Sequence, residues 1–97
     1  MKLDRNGYRE SLFETETGEC YVCHRGCISA RHEILHGPRR ANSKRYGLWV
    51  NLCPHCHDEV HREDNGKYLY LKKDAQRLFE ETFPDKDFLA IFGVNYL

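Results

Sequence analysis

The sequence predicts a small α+β domain pinned by a structural metal ion. Three observations lead there. Two Cys-x-x-Cys pairs, Cys20/Cys23 and Cys53/Cys56, are separated by 29 residues. A β-rich run, Leu48-Trp49-Val50-Asn51-Leu52, leads directly into the second pair. Beyond residue 66, Leu71, Ala75, Leu78, Phe79 and Thr82 recur at spacings of three and four, the period of a helix with one buried face.

A chain of 97 residues is one domain with a limited core, and domains of this size lean on a metal or on disulfides. Five cysteines is a high count for that length. The start, Met1 to Gly7, is polar and lacks the apolar core of a secretory signal. No run approaches the roughly 18 apolar residues of a membrane span. The expected location is therefore the cytoplasm, with no membrane partner. There thiols stay reduced, and paired Cys-x-x-Cys units act as metal ligands. The net charge is zero, but its distribution is uneven. Arg39, Arg40, Lys44 and Arg45 form a basic stretch without an acid. Glu10, Glu14, Glu16 and Glu19 lie before it, and Glu80, Glu81, Asp85 and Asp87 after it.

Along the chain, Tyr8, Leu12 and Phe13 are candidates to pack a short element on the core, between turn signals at Asn6-Gly7 and Thr17-Gly18. The first knuckle is Cys20-Tyr21-Val22-Cys23-His24. Residues Ile28 to Leu35 read as a strand, closed by His36-Gly37-Pro38. Gly37 to Tyr46 read as a polar, basic loop. In the second strand, Leu48, Val50 and Leu52 share one face. A helix is expected to begin near Pro54–Cys56, because proline suits a first turn, and to end by Asp64-Asn65-Gly66. Residues 67–83 form a second helix. Asp87 caps a third, Phe88 to Phe92, which Gly93 stops. The aromatics Phe79, Phe83, Phe88, Phe92 and Tyr96 are assigned to the core.

Tetrahedral zinc takes four soft ligands, and each two-residue spacer lets one tight turn present two thiolates. Cys20, Cys23, Cys53 and Cys56 are the expected set. His24 and Cys27 are possible substitutes, although Cys27 reads better as a buried thiol. The spelling Cys-x-x-Cys-His, present at 20–24 and 53–57, is also that of c-type haem attachment. The missing export signal and the lack of a methionine beyond Met1 for a distal ligand argue against it.

On a helix starting in the second knuckle, His57 and His61 share one face, while Cys56 points about 100° away from His57. One residue can thus face a structural metal and its neighbour a working one. His55 reads as a surface residue. Between the knuckles lies Arg31-His32-Glu33-Ile34-Leu35-His36-Gly37.

Cys20-x-x-Cys23, His32-Glu33-Ile34, Gly47-Leu48-Trp49-Val50-Asn51-Leu52-Cys53-x-x-Cys56-His57 and His61 together resemble the HNH (His-Me finger) endonucleases, in particular short phage-type members. The resemblance covers residues 20–61. It implies a ββα-metal core over 20–61, with a C-terminal helical part over 67–97. It further implies hydrolysis of DNA phosphodiester bonds, by nicking or cutting, with one divalent metal. By this resemblance His57 and His61 are metal ligands. His32 and Glu33 are the catalytic candidates. Either His32 is the base, with a further ligand supplied by His36 or Glu33, or His32 is a ligand and Glu33 the base. The family's middle asparagine, which ties down the loop, has no counterpart in register, since Asn51 lies near but out of place. Asn42 or Ser43 would have to replace it. A site rich in imidazole favours Mn²⁺, Ni²⁺, Co²⁺ or Zn²⁺ over Mg²⁺. Arg39, Arg40, Lys44 and Arg45 are the candidate DNA-binding residues. The protein is expected to act on DNA as a monomer or homodimer. The alternative is a zinc-containing DNA-binding or phage-assembly accessory protein with a degenerate site.

Overall fold

The structure, a computed structural model, describes residues 3–13, 18–26 and 30–97. The expected strand start at Ile28, the Cys27 thiol, Thr17 of the Thr17-Gly18 turn, and Glu14 and Glu16 lie outside them. Strands β1 (Ala30–Glu33) and β2 (Trp49–Leu52) pair antiparallel, with Ala30 opposite Leu52 and His32 opposite Val50. Side chains alternate across a strand. Ala30 and His32 therefore share one face with Val50 and Leu52, and Arg31 and Glu33 share the other with Trp49 and Asn51.

The first face receives helix α2 (Pro54–Arg62), which packs on both strands and buries Cys56 and Val60. Its start follows the sequence reading, with Pro54 in the first turn. The second face is covered by the N-terminal segment. Tyr8 meets Trp49 edge-on at 5.6 Å, and the Arg31 guanidinium lies 4.4 Å and 4.7 Å from the two ring centres. The Trp49 indole N–H donates to the Arg9 carbonyl at 2.7 Å. Phe13 is buried in the core, as expected.

The segment read as a loop from Gly37 to Tyr46 is instead a 3₁₀ turn (Gly37–Arg39) followed by helix α1 (Arg40–Arg45). Its six residues, five of them polar, show no apolar period, so nothing in their pattern announces a helix; tertiary hydrogen bonds hold it. Ser43 is fully buried there. Its hydroxyl accepts from the Leu35 N–H at 3.2 Å and donates to the Leu48 carbonyl at 2.6 Å, joining the exit of β1 to the approach to β2. Asn42 donates to the Ile91 carbonyl at 3.3 Å. Ser43→Ala leaves the buried Leu35 N–H without its acceptor and is expected to cost about 1–3 kcal/mol. A urea titration checks this, as a lower midpoint with an unchanged slope. Gly47 cannot vary in the same turn, because its φ is +75° and an added Cβ would lie 2.5 Å from the Glu10 carbonyl oxygen.

Helix α3 (Leu69–Thr82) and helix α4 (Phe88–Phe92) close the fold. Asp87 caps α4 by accepting the Leu89 N–H at 3.0 Å, and Gly93 ends it at φ +74°. Phe79 sits at the centre of an aromatic group with Tyr46, Phe83, Phe88 and Phe92, their ring centres 5.2–5.7 Å away. Lys72 and Gln76, one turn apart on α3, are buried despite their polarity. The C-terminal residues cover Gln76, whose amide bonds Asn95 and the Tyr96 N–H, both at 2.7 Å. Among the described residues no helix is long and apolar enough to cross a membrane.

Candidate metal centres

Both knuckles turn in the same way. The N–H of His24 donates to the Cys20 carbonyl and the N–H of His57 to the Cys53 carbonyl, each at 2.8 Å. The sulfurs of Cys20, Cys23, Cys53 and Cys56 lie within 4.8 Å of one another, and Cys23 Sγ is 3.7 Å from Cys53 Sγ. A tetrahedron with zinc–sulfur bonds of about 2.3 Å has sulfur–sulfur edges of about 3.8 Å, so the spacing fits one zinc ion. It does not suit two separately anchored haems. Burial alone would raise the Cys20 thiol, but N–H groups of Cys23, Cys53 and Val22 outweigh it and bring it down to about 6. The Cys56 N–H likewise holds the Cys53 thiol low. Burial, with the neighbouring sulfurs, pushes the Cys56 thiol up. Four cysteine sulfurs this close could hold one divalent cation, whose charge would favour all four binding as thiolates. His24 is not part of the set: it is exposed and pairs with Glu19 at 2.9 Å.

The second cluster combines His32 of β1 with His57 and His61 of α2. Their nearest ring nitrogens lie within 4.8 Å of one another, and the Nε2 atoms of His57 and His61 are 3.2 Å apart. Two metal–nitrogen bonds of about 2.1 Å limit such a separation to about 4.2 Å, so small side-chain shifts bring all three onto one ion. His32 is 2% exposed. Burial, then the facing imidazoles of His61, His57 and His36, drives its pKa down to about 3. His61 is lowered by burial and by His57 and His36. Both rings are thus neutral at pH 7 with a lone pair to donate, the form that binds a metal. His55 is exposed and pairs with Glu59 at 3.4 Å, in keeping with a surface role.

Glu33 is not brought into this cluster, against the expectation that it shares the site as base or ligand. Strand alternation puts it on the opposite face of β1, where it forms an ion pair with Arg40. Burial pushes the Glu33 carboxyl up, but the Arg40 guanidinium wins and holds it below its ordinary value. The pair therefore stabilises the fold at neutral pH, and that contribution fades as the pH falls through the carboxylate range. Arg40→Ala is expected to lower stability at pH 7, and progressively less toward pH 4, as Glu33 becomes protonated. Thermal melts of both proteins across that range check it. Of the other basic candidates, Arg39 donates from Nε to the Phe92 carbonyl at 2.8 Å. Lys44 lies over the Tyr8 ring at 4.7 Å, and Arg45 is exposed on α1.

The structure adds partners that the sequence reading passed over. His36 Nε2 lies 2.8 Å from Asp64 Oδ2, and the buried Lys72 reaches the same carboxylate at 3.2 Å. Asp64 reads in sequence only as part of the Asp64-Asn65-Gly66 turn, and Lys72 only as one position of the helix over 67–83. No local pattern links positions 36, 64 and 72.

Fold and sites together define a small mixed α+β protein with a two-stranded sheet and a four-cysteine cluster able to hold zinc. Comparison with family models, with curated proteins and with solved structures returns no match.

Proposed function

We propose that the chain is a divalent-metal-dependent endonuclease of the HNH, ββα-metal type that hydrolyses DNA phosphodiester bonds. The observation that carries this reading is the convergence of His32 from β1 with His57 and His61 from α2, beside a cysteine cluster suited to structural zinc. The order strand, intervening helix, strand, helix supports it. So does the adjacency of Cys56 and His57, which lets one helix serve both clusters. A divalent cation held by the three imidazoles would supply charge compensation at a phosphate oxygen and at the leaving oxygen. The chain's own part is to present the three imidazoles at a fixed spacing and to keep α2 rigid through the cysteine clamp.

The test is incubation of supercoiled plasmid with the zinc-loaded protein and Mn²⁺ or Ni²⁺. Metal-dependent conversion to open circle, abolished by EDTA, is expected. A zinc-replete protein inert with every divalent ion would overturn the reading. One observation favours a second, non-enzymatic reading as a zinc-containing DNA-binding or assembly accessory protein. Glu33, the catalytic candidate next to His32 in sequence, lies on the opposite face of β1 in an ion pair with Arg40. Retained DNA binding without any nicking would support it.

A further inference from the structure

The three convergent histidines do not exhaust the imidazoles at this site. His36 follows β1, and its ring centre lies 5.4 Å from that of His61 and 6.2 Å from that of His32. It falls outside the set whose nitrogens lie within 4.8 Å of one another. It is held from behind. Asp64 Oδ2 is 2.8 Å from its Nε2, and Lys72 Nζ grips both that carboxylate oxygen at 3.2 Å and Asn65 Oδ1 at 2.8 Å. Lys72 is 7% exposed, so this clamp is built into the body of α3. A carboxylate can only accept, so it holds a ring proton on Nε2, and in the neutral ring the lone pair is then on Nδ1.

Access separates His36 from His32. The His36 side chain is 39% exposed and lines a cavity of about 280 Å³ together with Arg39, Asp64, Asn65, Lys72 and Tyr96. His32 is enclosed, and its role is taken up in the three-imidazole set. An oriented, partly exposed imidazole next to that set is the arrangement a general base needs.

We propose that His36 is the catalytic residue that receives the proton of the attacking water, and that Asp64 is the residue that positions it. This rests on the nuclease reading above. As the water oxygen bonds to phosphorus, its proton passes to His36 Nδ1. The bond from phosphorus to the 3′ oxygen breaks, and that oxygen takes a proton from solvent. Lys72 keeps Asp64 in place.

The experiment compares wild type with His36→Ala, His36→Gly and Asp64→Asn, using His57→Ala as the ligand-loss control. Two readouts are taken on zinc-loaded protein: Ni²⁺ binding by calorimetry, and plasmid nicking. His36→Ala and His36→Gly are expected to bind Ni²⁺ as wild type does while kcat falls by about 10²- to 10⁴-fold. Added imidazole is expected to restore nicking to His36→Gly, and Asp64→Asn to lower kcat with KM unchanged. Loss of Ni²⁺ binding in His36→Ala, comparable to that in His57→Ala, would make His36 a ligand and overturn the proposal. Nicking at the wild-type rate, or no rescue by imidazole, would overturn it too. A wild type that binds Ni²⁺ but never nicks removes the nuclease reading, and this assignment with it. A wild type that nicks while the His36 variants also nick removes only this assignment.

Discussion

Cys53→Ser, or removal of zinc by a strong chelator, is expected to unfold the domain rather than merely loosen it. Cys20, Cys53 and Cys56 belong to the buried core, so the cluster is part of the packing and not a surface appendage. Among the described residues, the sheet it anchors has four residues in each strand. The first knuckle is tied to that sheet through the Tyr21 N–H and the Asn51 carbonyl at 2.8 Å, and the second leads into α2. Structural zinc contributes about 10–16 kcal/mol of apparent binding free energy in small domains. That is as large as the whole stability of a typical domain, about 5–15 kcal/mol. Losing one ligand also leaves the remaining sulfurs crowded without full charge compensation. The check is far-UV circular dichroism with Trp49 fluorescence. Trp49 is buried, so the expected outcome is a red shift and the loss of a cooperative transition. A variant melting at the wild-type temperature would show that the cysteines are not a structural metal site.

His57→Ala and His61→Ala are expected to behave in the opposite way, keeping the fold and losing the second metal. His57 is half-buried and His61 exposed, and neither belongs to the apolar core. Truncating either should leave the thermal transition close to wild type. Each nonetheless removes one of only three convergent nitrogens, so Ni²⁺ or Mn²⁺ binding at that site should collapse while the cysteine-bound zinc remains. Metal analysis after dialysis, set beside calorimetric titration, separates the two sites. Nicking should fall to background in both variants. His57→Ala cutting at the wild-type rate would remove the helix histidines from the metal site and with them the proposed chemistry.

Much of this organisation is legible in the chain because it is periodic or locally spaced. Cys-x-x-Cys places two sulfurs on one turn whatever surrounds it. The i, i+4 spacing of His57 and His61 places two imidazoles on one helix face. Proline at the start of α2, aspartate before α4 and glycine after it mark their boundaries by backbone rules that need no tertiary context. The aromatics of the C-terminal third are buried in large part, because apolar area of that size has nowhere else to go.

Other features depend on where distant segments meet. Helix α1 lacks an apolar stripe, and Ser43 stabilises it through Leu35 and Leu48, so its residues read as a loop until those partners are in place. Glu33 stands next to His32 in sequence but across the sheet from it in space. The period of two in a strand makes such neighbours opposites. Lys72 reads only as one position of the helix over 67–83, yet its stem is buried and its ammonium serves Asp64.

The sequence by itself determined the small α+β class, the four-cysteine set and the pairing of His57 with His61, because each follows from spacing along one turn, strand or helix. Only the tertiary structure decided that His32 joins those histidines, that Glu33 pairs with Arg40, and that His36, Asp64 and Lys72 form a chain beside them. Those choices depend on which strand face α2 covers and on how α3 returns past the end of α2. Both are set by contacts among residues far apart in sequence.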